Sequence, residues 1–296
     1  MELLHNCPVC GSEKIDPFIS GKDYFLTGES FEIVKCLQCG FRFTNPRPEP
    51  GELGKYYQSS EYISHSDSRQ GLFASVYQRV RKFTLGQKYS LISMFQQKGE
   101  ILDIGCATGQ FLNYMIQRGW KATGIEPDEK TRSRAISEFG LHVFPEEHLS
   151  SIKSPTFDVI TMWHVLEHVS DLNGRMKQIK DLLKPGGTLI IAVPNCNSWD
   201  AEIYREYWAA YDLPRHLYHF TKVDMKLLLE KYEFQIVETL PMKFDAFYVS
   251  LLSEKYKCGK MRWLPAIWNG FWSNLKSGLE KGYSSQIYVI KQKQSC

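Results

Sequence analysis

An apolar strand that breaks into a glycine-rich turn and then starts a helix leaves few folds open. Ile101-Leu102-Asp103-Ile104 runs into Gly105-Cys106-Ala107-Thr108-Gly109, and a helix is expected over Gln110 to Arg118. Gly105 lets the backbone approach a ligand closely, and Gly109 eases the start of the helix. About 20 residues further on, where such folds place a ribose-binding acid, the next strand KATGIEP ends on Glu126 and Pro127. A carboxylate at that point can accept two hydrogen bonds from ribose hydroxyls. The spacing suits a dinucleotide and an adenosyl cofactor alike. A plain buried strand–helix turn is the third reading.

Residues 99–240 repeat this alternation, which is the pattern of a parallel sheet covered by helices. LHVFP, FDVITMW, GTLIIAVP, FQIVETLP and, near the end, SQIYVIKQ read as further strands. Helices are expected at about Asp128–Glu138, Leu172–Leu183 and Lys222–Tyr232, the second stopping at the Pro185-Gly186-Gly187 turn. The fold class is therefore α/β, Rossmann-like with seven strands, carrying a small N-terminal module. Three zones follow: residues 1–45 with paired cysteines, a connector over 46–98 that turns helical from about Ser68 to Phe95, and a main domain over 99–296. The interval 245–284 is Trp-rich and reads as an insertion or lid. The 296 residues are 43% hydrophobic and 23% charged, enough to bury a core in about two domains. Lys plus Arg is 36 against 33 Asp plus Glu. A net charge of +3 calls for neither nucleic acid nor an anionic membrane. No apolar run reaches the roughly 18 residues of a membrane span. The N-terminus lacks a basic segment followed by an apolar stretch, so the chain is expected to work in the cytoplasm.

Cys7-Pro8-Val9-Cys10-Gly11 is answered by Cys36-Leu37-Gln38-Cys39-Gly40. Each pair lets two thiolates converge, and the glycine after it can take a positive φ and turn the backbone around an ion. Together Cys7, Cys10, Cys36 and Cys39 supply four soft ligands, the donor set of a structural zinc ribbon. Two buried cysteine pairs or a redox-active pair are the alternatives. The stretch between the knuckles has no basic cluster, so nucleic acid is not an expected partner.

The turn GCATG lacks the glycine spacing that seats a pyrophosphate on a helix N-terminus. Asp103 before it suits an ammonium or sulfonium ligand better. LDIGCATGQF resembles the first motif of the class I S-adenosylmethionine-dependent methyltransferases, an acidic residue followed by GxGxG, with Phe111 at the third glycine position. GIEPDE, FDVITMWHVLEHVSD and LLKPGGTLIIAVPN are similar to later motifs of that family, and the likeness covers about residues 80–240. Ubiquinone-type O-methyltransferases carry a very similar set. The double CxxC and DLPRHLYHF look more like methyltransferases of sugar and surface-polysaccharide clusters. The resemblance implies that Gly105, Cys106 and Gly109 line the cofactor with backbone atoms. It puts Asp103 near the methionine amino group, Glu126 on the ribose, and Pro127 and Asp128 beside the adenine. Glu147, His148 and Leu149 would border the adenine edge, and Met162, Trp163 and His164 would lie close to the transferred methyl. The implied reaction is methyl transfer to a small-molecule acceptor, with a hydroxyl of a sugar or related metabolite preferred. A non-catalytic cofactor-binding scaffold and a nicotinamide oxidoreductase are the alternatives.

Methyl transfer from a sulfonium needs an aligned nucleophile and a home for its proton. Histidine is the natural base near neutral pH. His216 and His219, in the loop-like PRHLYHF, and His164, in WHVLEHV, are the candidates among 8 histidines. Each also reads as a capping or satisfied buried histidine. His164 and His168 would share a helical face if a helix began there, but a metal would need a third ligand, and none is evident nearby. Arg215 reads either as an anchor for an acidic acceptor or as the partner of Asp212. Trp263, Trp268 and Trp272 recur at helical spacing. They read as a helix packed on the core, or as a pocket wall, a homodimer face or a transient membrane contact beside Lys255, Lys257, Lys260 and Arg262. Stable membrane insertion is not expected.

Overall fold

The structure, a computed structural model, describes residues 1–57, 72–279 and 281–293. Chain order begins with β1 (Ile15–Lys22), β2 (Ser30–Cys36) and β3 (Arg42–Thr44), followed by α1 (Leu72–Phe95). The alternating stretch follows: β4 (Glu100–Ile104), α2 (Gln110–Ile116), β5 (Lys121–Ile125), α3 (Glu129–Phe139), β6 (His142–Phe144), β7 (Phe157–Trp163), α4 (Leu172–Leu182) and β8 (Leu183–Pro194). The chain continues through α5 (Trp199–Tyr204), β9 (Tyr218–His219), α6 (Lys222–Lys231), β10 (Phe234–Pro241), α7 (Asp245–Cys258), α8 (Trp263–Lys276) and β11 (Ser285–Gln292). The seven strands expected from the sequence form one mixed sheet of order β10-β11-β8-β7-β4-β5-β6. A separate four-stranded sheet has the order β1-β2-β3-β9. Of the helix expected over 68–95, residues 68–71 lie outside the described residues. No helix among the described residues is long and apolar enough to cross a membrane.

The chain divides into two compact units. One comprises Ser59–Trp163, Gly174–Ile191 and Val289–Cys296. In it β4 lies parallel between β5 and β7, with Ile104 opposite Ile125 on one side and Met162 on the other. Leu102, Ile104, Ile125, Ile160 and Met162 are buried, as a central parallel sheet requires. The helices are set by local signals. Asp128 caps α3 by accepting from the Thr131 N–H at 2.7 Å, and Gly140 closes it in the left-handed region. The helix expected to stop ahead of Pro185-Gly186-Gly187 does so. That helix ends at Leu182, and β8 already runs through all three residues. The residue before a proline is pushed to extended backbone, so the chain leaves the helix ahead of Pro185.

The other unit comprises Met1–Gln58, His164–Asn173 and Ala192–Tyr288. Its sheet joins the N-terminal strands to a late one: β3 pairs antiparallel with β9, Arg42 opposite His219 and Phe43 opposite Tyr218. A core of Phe31, Ile33, Tyr204, Trp208, Tyr211 and Leu213 packs beside it. Thr221 and Asp224 cap α6 with a reciprocal box. The segment 245–279 holds a helix pair with an unusual division of faces. Helix α8 buries Ala266, Gly270 and Ser273, while Trp263, Trp268 and Leu264 are 58%, 61% and 83% exposed. A Cβ at Gly270 would come within 2.7 Å of the Phe247 ring, so only the small face lets α7 approach. Asp200, fully buried, ties the region together by accepting from Trp208 Nε1 at 2.8 Å, Ser273 Oγ at 2.6 Å and Ser284 Oγ at 2.7 Å. The reading of the tryptophans as a stripe packed on the core fails for Trp263 and Trp268.

Candidate functional site

The glycine turn after β4 takes a conformation that the residue types make possible. Gly105, Ala107 and Gly109 have φ of 75°, 47° and 74°. At Gly109 a Cβ would lie 2.3 Å from Leu141 Cδ1 and 3.0 Å from Ala135 Cβ, so both backbone and space require glycine. The Gly105 and Cys106 N–H groups donate to the Ile125 carbonyl at 2.8 and 3.0 Å, which docks the turn on the end of β5. Gly124 permits that docking, since a Cβ there would lie 2.6 Å from Cys106 Sγ.

Glu126 closes the turn from the other side. Its Oε2 accepts from the Ala107 N–H at 2.9 Å and its Oε1 from the Asp128 N–H at 3.0 Å. Each oxygen keeps a lone pair for a further donor. Burial raises its pKa, against the pull of those two N–H groups. Arg132 donates to the carbonyls of Glu126 at 2.7 Å and Pro127 at 3.0 Å, fixing the loop. Asp103 is buried and accepts from Thr161 Oγ1 at 2.6 Å. Burial pushes its pKa up to about 7, although the Thr161 bond and Lys88 both favour the anion. A cationic ligand group nearby would favour the anion further. Leu149 is buried, Glu147 is exposed, and His148 stacks on Phe144 with ring centroids 4.0 Å apart. Met162 is buried; Trp163 meets Phe111 edge-on at 5.9 Å and lies 4.0 Å under Lys88 Nζ. The buried Trp163 indole N–H has no acceptor among the described residues. Thr161 and Lys88 escaped the sequence reading. No motif spacing links them to Asp103 and Trp163; only the pairing of β4 with β7 and the course of α1 do.

In the second unit, His164 follows β7 with φ 57°, a bend rather than the start of a helix. The short 3-10 turn Leu166–His168 comes next, so the shared helical face expected for His164 and His168 does not form. A third of the His164 side chain is exposed; its Nδ1 lies 3.4 Å from Glu167 Oε1 and its Nε2 3.1 Å from Asp245 Oδ2. Burial opposes its protonation, but these two carboxylates outweigh it and raise its pKa to about 10. Asp245 stands far along the chain and gave no signal in the sequence. His219 is buried in β9, and its Nε2 is 3.1 Å from Thr44 Oγ1. Burial holds its pKa well below the usual value. His216 is buried, with Nδ1 2.8 Å from the Ala210 carbonyl. The structure brings His216 to His168, ring centroids 4.6 Å apart, while His164 and His219 keep other partners. A third possible ligand beside a histidine pair, not evident in the sequence, therefore exists: Glu167, His168 and His216 each offer an atom within 4.8 Å of the others. Arg215 is engaged by Asp212, through Nη2 at 2.6 Å and Nε at 3.0 Å, and by Asp23 at 3.2 Å.

The four paired cysteines also converge. Their sulfur atoms all lie within 4.8 Å of one another, with Cys7–Cys39 at 3.6 Å and Cys10–Cys36 at 3.5 Å. Gly11 and Gly40 take φ of 78° and 85° and donate back to the carbonyls of Cys7 and Cys36, both at 2.9 Å. This is the turn that the glycine after each pair was expected to make, and the cluster is able to hold a metal ion.

A parallel sheet with a glycine turn after one strand and an acid after the next defines a nucleoside-cofactor fold of the Rossmann-like class. A methyltransferase-domain family profile matches residues 75–239, more than half of the chain. The chain belongs to that family, and its fold is that of the class I S-adenosylmethionine-dependent methyltransferases. It is 33% identical over 108 residues to a ubiquinone biosynthesis O-methyltransferase of Bordetella avium, covering 34% of this chain and 45% of the relative. To the protein of the same description in Stutzerimonas stutzeri it is 31% identical over 132 residues, 42% and 57% of the two chains. The chain thus spans about half the length of these relatives. Phosphoethanolamine N-methyltransferase 2 of Haemonchus contortus, solved with S-adenosyl-L-methionine, superposes with a TM-score of 0.54 at 13% identity, over 95% of this chain and 69% of that one. That likeness concerns the fold alone.

Proposed function

We propose that the chain transfers a methyl group from S-adenosylmethionine to a hydroxyl of a small molecule, with a sugar or related metabolite as the acceptor class. The observation that carries this reading is the turn Asp103–Gly109 held against Glu126 inside a matched methyltransferase domain. Its donors and acceptors fit the cofactor's parts. Glu126 has lone pairs left for ribose hydroxyls, and the Asp103 carboxyl suits an ammonium. Pro127 and Asp128 form the start of α3, and Glu147–Leu149 follow β6, where an adenine would be bordered. When bound, the cofactor supplies an activated methyl; the chain has to orient the acceptor and receive its proton. The test is calorimetric. Wild-type protein is expected to bind S-adenosylhomocysteine near one to one and NAD not at all, and Glu126→Ala to weaken the first at least tenfold, about 1.4 kcal/mol. Unchanged affinity in the variant would remove Glu126 from the ribose.

Burial reorders the histidines. His216 and His219 are enclosed, whereas His164 reaches solvent at the carboxyl end of β7, where parallel sheets bind their ligands. We assign it to the acceptor side as a protonated imidazolium, held by Glu167 and Asp245, that positions the acceptor and does not take its proton. His164→Ala is expected to lower S-adenosylhomocysteine formation on any accepted hydroxyl compound about a hundredfold, the cost of a misplaced reactant, with cofactor affinity retained. Turnover within twofold of wild type would exclude it. For the cysteine cluster the proposed ion is zinc. A tetrahedral site with Zn–S near 2.3 Å has sulfur atoms about 3.8 Å apart, close to the separations found. The site has four protein ligands and so no position for water, which makes it structural.

A further inference from the structure

We infer that Glu167, His168 and His216 form a second metal site, separate from the cysteine cluster, for a divalent first-row cation such as zinc, cobalt or manganese. Which ring nitrogen carries the proton decides what the two histidines can bind. His216 Nδ1 is 2.8 Å from the Ala210 carbonyl, and His168 Nδ1 is 3.0 Å from the Arg215 carbonyl. A carbonyl only accepts, so each Nδ1 carries the proton, and in the neutral ring each Nε2 keeps the lone pair that a metal requires. Tyr57 Oη, 2.9 Å from His168 Nδ1, shares the same proton. This is how metal-binding histidines are commonly oriented: one nitrogen held by a carbonyl, the other turned to the ion.

The remaining groups ask for a cation. Glu167 is fully buried; neither of its carboxylate oxygens accepts a hydrogen bond, and His164 Nδ1, 3.4 Å away, reaches only Oε1 as an ion pair, so Oε2 is unanswered. No hydrogen bond from the described residues reaches His216 Nε2; the Asp212 carboxylate lies 3.9 Å away and is already engaged by Arg215. Glu167, His168 and His216 each offer a ligand atom within 4.8 Å of the others, while His164, which faces Glu167 Oε1, is not among them. A single proton can bridge only two of the three. A metal ion can serve all of them. Two imidazoles and one carboxylate favour a transition cation over magnesium or calcium, and three protein ligands leave a position open for water or a ligand oxygen. His168 is only half-buried, which gives such a ligand access. This inference does not depend on the methyl-transfer reading.

The experiment uses the full chain with its cysteine cluster filled with zinc, titrated with cobalt(II). The wild type is expected to take up one further equivalent. Its visible bands should be weak and lack the thiolate-to-metal charge transfer that a cysteine site gives. Glu167→Gln and His216→Gln are each expected to weaken uptake at least tenfold while zinc content and circular dichroism stay unchanged. Should one variant fail to fold, the other carries the comparison, and a cobalt-induced rise in wild-type melting temperature supports the same conclusion. Absence of any uptake beyond the cysteine cluster at about 100 µM cobalt, or equal uptake by a folded variant, overturns the site.

Discussion

Cys36→Ser is expected to remove one zinc ion per chain and to unfold the sheet β1-β2-β3. Structural zinc sites of this kind contribute about 10–16 kcal/mol of apparent binding energy at neutral pH, more than the stability of most domains. Cys36 is the last residue of β2 and starts the second knuckle. Its loss therefore opens the knuckle and frees the end of the strand that pairs with both β1 and β3. The effect should spread to β9, whose pairing partner is β3. Elemental analysis gives the first readout and loss of amide protection in residues 15–44 the second. Zinc content equal to wild type in a purified variant would show that Cys36 is not a ligand.

Arg215→Met should destabilise the same unit by about 3–5 kcal/mol, the usual cost of removing one partner of a buried ion pair. The guanidinium is 2% exposed and is the donor to Asp212 through two bonds, to Asp23 and to the Tyr56 carbonyl. Asp23 is itself buried and accepts from the N–H groups of Phe25, Leu26 and Thr27. Methionine fills part of the volume but leaves two carboxylates without their cation. Arg215→Lys restores charge without the planar fork and should recover only part of the loss. Urea unfolding of the three proteins measures it. A loss below about 1 kcal/mol for the methionine variant would mean that the carboxylates find other donors.

The parts of the fold that were legible in the sequence are those whose determinants lie close together in the chain. The turn from Gly105 to Gly109, the acid at 126, the seven strands and the helix after Thr221 each follow from residues within a few positions of one another. The two cysteine knuckles were legible for the same reason. What the sequence did not disclose depends on distant partners. His219 read as part of a loop, yet it forms a two-residue strand because Arg42 lies opposite. The pair His164 and His168 does not form a metal site; the fold instead brings His216 to His168 and Glu167, a grouping that no spacing in the sequence announces. Helix α8 showed its tryptophans at helical spacing, but spacing alone does not say which face is buried. The close approach at Gly270 decides that.

The pairing of β3 with β9 also bears on the order in which a ribosome delivers the parts. Cys7 and Cys39 are 32 positions apart, so the cysteine cluster can close as soon as they emerge. The groups that cover β3 come much later: Thr44 Oγ1 donates to the His216 carbonyl, 172 positions away. At about 5–20 residues per second, the nascent N-terminal sheet waits on the order of ten to thirty seconds with β3 as a second bare edge beside β1. An open edge is a template for pairing with a neighbouring chain. An early metal-closed ribbon therefore meets its greatest hazard before the second half of the protein has been made.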